Sequence, residues 1–71
     1  MKKFTIEIAS PPDRENLVAE IWLDDQMIAE LNQENGDLEL EIFTYEKGKL
    51  KLNYNNFVEA LKTAKEKLTC A

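Results

Sequence analysis

Apolar residues recur at every second position through most of the first 54 residues, and this period constrains the fold more than any other feature of the chain. A period of two puts alternate side chains on opposite faces of an extended strand, so each such run reads as a strand with one buried face. Phe4, Ile6 and Ile8 alternate with Thr5 and Glu7. Leu17, Ala19, Ile21 and Leu23 alternate with Val18, Glu20 and Trp22. Met27, Ala29 and Leu31 make a third run, Leu38, Leu40 and Ile42 a fourth, and Leu50, Leu52 and Tyr54 a fifth. The pattern predicts strands over about residues 3–9, 17–23, 27–33, 38–45 and 50–54.

The segments between the runs are turn-forming. Pro11-Pro12-Asp13 ends the first strand, because neither proline can donate to a ladder, and the loop continues to Asn16. Asn35-Gly36 between alternating segments favours a two-residue type I′ hairpin, since both residues tolerate positive φ. Glu46-Lys47-Gly48 reads as a three-residue turn with glycine in the left-handed position.

After residue 54 the period changes. Phe57, Leu61, Ala64 and Leu68 recur at helical spacing with Val58 on the flank, which predicts a helix over about 56–68. Asn55 or Asn56 caps it; with Asn56 as the cap, Glu59 stands at the third helical position, close to a capping box. Lysines gather towards its C-terminal end, where the helix dipole favours them. One apolar stripe covers one face of one sheet. The expected architecture is α+β: an antiparallel meander of four to five strands with one C-terminal helix packed on one face, in a single domain over residues 1–71.

Register converts the pattern into a surface. A two-residue loop at Asn35-Gly36 sets Leu31 opposite Leu40, Glu30 opposite Glu41, Ala29 opposite Ile42 and Ile28 opposite Phe43. A three-residue turn at Asp24-Asp25-Gln26 sets Leu23 opposite Met27, Ile21 opposite Ala29 and Ala19 opposite Leu31. A two-residue turn there would bring Glu20 opposite Ala29 on the core face. The inner face is then apolar throughout, from Phe4 to Tyr54, with Met27 on it. The outer face carries a row Glu20–Glu30–Glu41 beside a row Trp22–Ile28–Phe43, ending at Lys51. An apolar strip rimmed by charge has the form of a contact site, so Trp22, Ile28 and Phe43 are the expected anchor and Glu20, Glu30 and Glu41 the expected charged surround. The loop from Pro11 to Asn16 is the second place where a contact is expected.

Other functions lack their chemistry. A domain of 71 residues buries about 60% of its unfolded surface and has little material for a deep pocket. The chain has no histidine, and its one cysteine, Cys70, stands next to the C-terminus, so no nucleophile has a base beside it and no Cys/His zinc spacing exists. Its only glycines, Gly36 and Gly48, are in hairpins, so there is no phosphate-cradling loop. Neighbouring glutamates on a flat, wet face have no wall to hold a substrate. The expectation is no enzyme, no cofactor and no metal.

Fourteen acidic against nine basic residues give a net charge of −5, the wrong sign for a phosphate backbone and the right one for a basic protein partner. No apolar run approaches the ~18 residues that span a bilayer, and Met1-Lys2-Lys3 is followed by alternation and not by a signal-peptide core. A cytoplasmic protein, monomeric or weakly dimeric, is expected.

The opening stretch from Phe4 to Trp22, with its Ser10-Pro11-Pro12-Asp13-Arg14-Glu15-Asn16 loop, resembles the start of short bacterial proteins. In size, acidity and strand–helix order the whole chain is similar to the small immunity proteins of contact-dependent inhibition and polymorphic-toxin systems. That resemblance implies a cytoplasmic protein that neutralises a cognate toxin, often a basic nuclease, by direct binding. The alternative is a homo-oligomeric structural or accessory domain whose open sheet face meets its own copy.

Overall fold

The computed structural model describes residues 3–12, 15–43 and 51–70. Four strands, β1 (Phe4–Ala9), β2 (Val18–Leu23), β3 (Gln26–Asn32) and β4 (Glu39–Ile42), are followed by one helix, α1 (Tyr54–Thr69). The strands form one antiparallel meander in the order β1-β2-β3-β4. The fold is the expected α+β arrangement with the helix packed on one face of the sheet. Among the described residues no helix is long and apolar enough to cross a membrane.

The core lies between α1 and the inner face of β1–β3. Ala19, Ile21, Leu23, Ala29 and Leu31 of the sheet and Ala60, Ala64 and Leu68 of the helix form one cluster, all buried. The helix spacing of four residues keeps these three on one face, and two alanines among them let the helix approach the sheet closely. Phe57 and Leu61 pack on the flank of this stripe. Phe57 meets Phe4 of β1 with ring centroids 5.7 Å apart at a tilt of 42°, a favourable aromatic geometry.

Three local details differ from the pattern-based expectation. The β2–β3 turn has two residues, not three: Leu23 pairs with Gln26, and Asp24 takes a left-handed φ of 55°. Its carboxylate accepts the Lys3 backbone N–H at 3.0 Å, and its own N–H donates to the Lys3 carbonyl at 2.9 Å. A bulge then absorbs the missing residue. Trp22 pairs with Met27 and Ile21 with Ala29, leaving Ile28 as the extra residue of β3. The core register expected from the sequence, Ile21 with Ala29 and Ala19 with Leu31, therefore survives a shorter turn.

At the β3–β4 connection the expected register also holds, with Leu31 opposite Leu40 and Glu30 opposite Glu41. The tip is not a two-residue type I′ turn. The ladder ends at Asn32–Glu39, the Gln33 carbonyl accepts the Gly36 N–H at 3.1 Å, and only Gly36 in the loop has positive φ, +90°. Side-chain bonds outweigh the tight turn here. Glu34 accepts the backbone N–H groups of Glu15 and Asn16 at 3.1 and 3.2 Å, and Asn35 donates to Glu39 at 2.7 Å.

The helix starts earlier than expected. Asn53 is its N-cap, accepting the Asn56 N–H at 3.0 Å, so Asn55 and Asn56 are inside the first turn. This cap removes Tyr54 from the expected fifth strand, and residues 51–53 hold no strand. Leu50, the Glu46-Lys47-Gly48 turn and residues 44–45 of the expected fourth strand lie outside the described residues, as do Asp13 and Arg14 of the first loop.

Candidate functional site

On the outer face the ladder lines up four glutamates. Glu7 pairs with Glu20, Glu20 with Glu30 and Glu30 with Glu41, one from each strand. Alternation puts each of them on the face opposite the core, with neighbours about 4.8 Å apart across the strands. Glu7 was missing from the expected row. Its outward position was legible in the alternation with Phe4, Ile6 and Ile8, but the long Pro11–Asn16 loop fixes no register between β1 and β2 by itself.

The row is not uniformly open. Glu7 and Glu41 at its ends are exposed, Glu20 is half-buried and Glu30 is 7% exposed. Glu20 accepts the Trp22 indole N–H at 3.2 Å. Glu30 accepts from the Asn32 amide at 3.2 Å, and the Asn32 carbonyl oxygen accepts the Glu34 N–H at 3.4 Å. Neither Glu30 nor Glu41 is without a partner. Val18, Glu30 and Asn32 are all buried in the β2–β3 part of this face, and among the described residues no buried side-chain polar atom lacks a hydrogen bond. The middle of the row is thus part of the folded framework.

The expected apolar row is broken. Ile28 is 2% exposed and belongs to the core cluster with Ile21, Leu23 and Ala64. The bulge is the cause: it turns Ile28 inward and brings Met27 opposite Trp22, exchanging the faces expected for these two residues. Phe43 follows the end of β4, is half-buried, and donates its backbone N–H to the Ile28 carbonyl at 2.8 Å. Trp22 is half-buried. No continuous Trp22–Ile28–Phe43 strip exists.

Exposed apolar side chains gather instead at β4: Leu38 just before it and Leu40 and Ile42 on it are 38%, 39% and 58% exposed, while Leu17 and Tyr54 are exposed elsewhere. Leu40 and Ile42 pair with Leu31 and Ala29, so they share the helix side of the sheet. They are bare because α1 packs on β1 and β2. A helix about 10 Å across covers roughly two strands spaced 4.8 Å apart, so a four-stranded sheet outruns it. The width of the helix is legible in the sequence, but which two strands it covers is not. Glu39 and Glu41, both exposed, alternate with these residues and point to the other face. β4 therefore presents an apolar edge with carboxylates on its reverse.

Among the described residues no group of three or more Asp, Glu, Cys or His side chains has a metal-holding arrangement, and Cys70 is exposed and free. An open groove of about 660 Å³ runs between β1 and α1, lined by residues that include Lys3, Phe4, Ile6, Glu59, Thr63 and Lys67. No family model matches the chain, and no curated protein and no solved structure gives a significant match.

Proposed function

We propose that the chain is a small inhibitory binding protein of the immunity or antitoxin type, acting in the cytoplasm without catalysis, which neutralises a basic partner protein by direct contact through β4. The observation that carries this reading is the exposure of Leu40 and Ile42 on β4, which also bears Glu39 and Glu41, with exposed Leu38 just before the strand. An edge strand with aliphatic side chains on one face and carboxylates on the other suits a partner that grips the edge, apolar on one side and cationic on the other. The net charge of −5 supports attraction of such a partner over distance. The exposed ends of the glutamate row, Glu7 and Glu41, extend the same field across the outer face. Trp22 and Phe43 are secondary contacts in this reading, and Ile28 has no part in it.

The test is co-expression with a basic toxin domain, should one be encoded in an adjacent reading frame. The parent chain restores growth and forms a one-to-one complex with that domain. A Leu40→Asp, Ile42→Asp variant stays folded and loses protection. Absence of protection by the parent chain overturns the functional reading. Full protection by the double variant moves the contact away from β4.

A further inference from the structure

Strand β1 is an edge with few of the features that discourage edge-to-edge pairing. Among the described residues it has a neighbour, β2, on one side only. Its six pairs with β2 run without a bulge, and it contains neither lysine nor proline. The Lys3 carbonyl accepts the Asp24 N–H, so Lys3, Thr5, Glu7 and Ala9 direct their backbone groups towards β2. By the alternation of an antiparallel ladder, the N–H and C=O groups of Phe4, Ile6 and Ile8 point outwards. The side chains of these same three residues are only half-buried under the helix.

We infer that β1 pairs with β1 of a second copy about a two-fold axis at Ile6, joining two sheets into one of eight strands with both helices on the same side. This inference is independent of the partner reading above. The symmetric register follows from the residues. Centring on Ile6 sets Ile6 opposite Ile6, Phe4 opposite Ile8 and Thr5 opposite Glu7, so five of the six strand residues pair within the strand, Ala9 falls opposite Lys3, and no glutamate meets another. Centring on Glu7 would oppose two glutamates, and centring on Ile8 would run Phe4 into Pro12. Centring on Thr5 would leave Glu7, Ile8 and Ala9 without strand partners.

The helices fit the same axis. α1 packs on β1 and β2, so its own axis lies about 5 Å from a two-fold placed half a strand spacing beyond β1. Two such helices are then about 10 Å apart, inside the range of close helix packing. The helix face turned to this groove carries Glu59, Thr63 and Lys67. When antiparallel copies meet near Thr63, Glu59 of each lies against Lys67 of the other. Glu59, which already lies 3.8 Å from Lys62 of its own helix, thereby gains a second cationic neighbour across the axis, while Lys3 lines the outer part of the groove. A dimer through the outer face would instead bring the exposed Glu7 and Glu41 of each copy against those of the other, which ranks that arrangement below the edge contact.

The test uses light scattering, a charge swap and a register-specific crosslink. At 100–200 µM (order-of-magnitude loading for a modest interface) the parent chain runs at twice the 8.2 kDa chain mass. Lys67→Glu weakens dimerisation by roughly tenfold, since two exposed ion pairs become repulsive, and adding Glu59→Lys restores it. In a Cys70→Ser background, Thr5→Cys with Glu7→Cys forms a disulfide dimer on mild oxidation, while Thr5→Cys alone does not. A chain that runs at 8.2 kDa throughout the concentration range overturns the inference, even where it still protects against a toxin. Crosslinking by Thr5→Cys alone overturns the Ile6 register, and a dimer indifferent to both charge changes overturns the helix contact.

Discussion

Trp22 stands opposite Met27, one residue short of the Ile28 partner that uninterrupted alternation demands. The two-residue turn at Asp24-Asp25 creates this mismatch and the bulge at Ile28 repairs it before the core begins. As a result an isoleucine enters the core and a methionine takes its place on the outer face. The consequence for stability is direct. Ile28→Ala is expected to cost about 2–4 kcal/mol, the range for truncating a fully buried aliphatic side chain, and Met27→Ala less than about 1.5 kcal/mol. Urea denaturation of the two variants measures the contrast; equal costs would contradict the bulge.

Asp24 holds a left-handed conformation and accepts the Lys3 N–H. Asp24→Asn keeps both features and should lie within about 0.5 kcal/mol of the parent. Asp24→Val loses the hydrogen bond and puts a β-branched side chain at φ 55°, for a loss of about 2 kcal/mol or more. Thermal unfolding followed by circular dichroism distinguishes them.

The helix cap separates two asparagines. Asn53→Ala removes the acceptor for the Asn56 N–H and should cost about 1 kcal/mol. Asn56→Ala, a change within the first turn, should be neutral or slightly stabilising because alanine is the better helix former. A larger loss at Asn56 than at Asn53, read from denaturant midpoints, would return the cap to its sequence-predicted place.

Glu7 and Glu20 face each other at the β1 end of the glutamate row. Glu7→Thr removes one like-charge apposition and adds β propensity, so stability should rise by about 0.2–1 kcal/mol. Exposed charges are screened, so the gain should shrink between 20 mM and 500 mM salt (about 20 Å and 4 Å of Debye length). A gain that does not respond to salt would assign the effect to propensity alone.

Ile42 is the most exposed aliphatic side chain of β4. Ile42→Lys should leave the unfolding midpoint close to that of the parent, with a stability change within about 0.5 kcal/mol. Its effect belongs to association: a loss of partner binding with an unchanged denaturant midpoint is the expected pair of results.

The sequence alone determined strands β1 to β4, the presence of the helix, the meander and most of the core, but not the extent of the fifth apolar run. Alternation at Phe4–Ile8, Val18–Leu23 and Leu38–Ile42, followed by helical spacing from Phe57 to Leu68, is a local code, because each side chain's face follows from its backbone period. It also determined the core pairings Ile21–Ala29 and Leu31–Leu40, since a slip by one would have moved every apolar residue to the wrong face. The tertiary structure decided what depends on sums over distant parts. How many strands one helix can cover left Leu40 and Ile42 bare. The joining of β1 to β2 lengthened the glutamate row to Glu7. Competition among side chains for backbone N–H groups at Glu34 and Asn53 moved the hairpin tip and the helix start. The face of Ile28 turned on a single inserted residue whose alternatives differ little in local energy, and only the packing of the whole core selected between them.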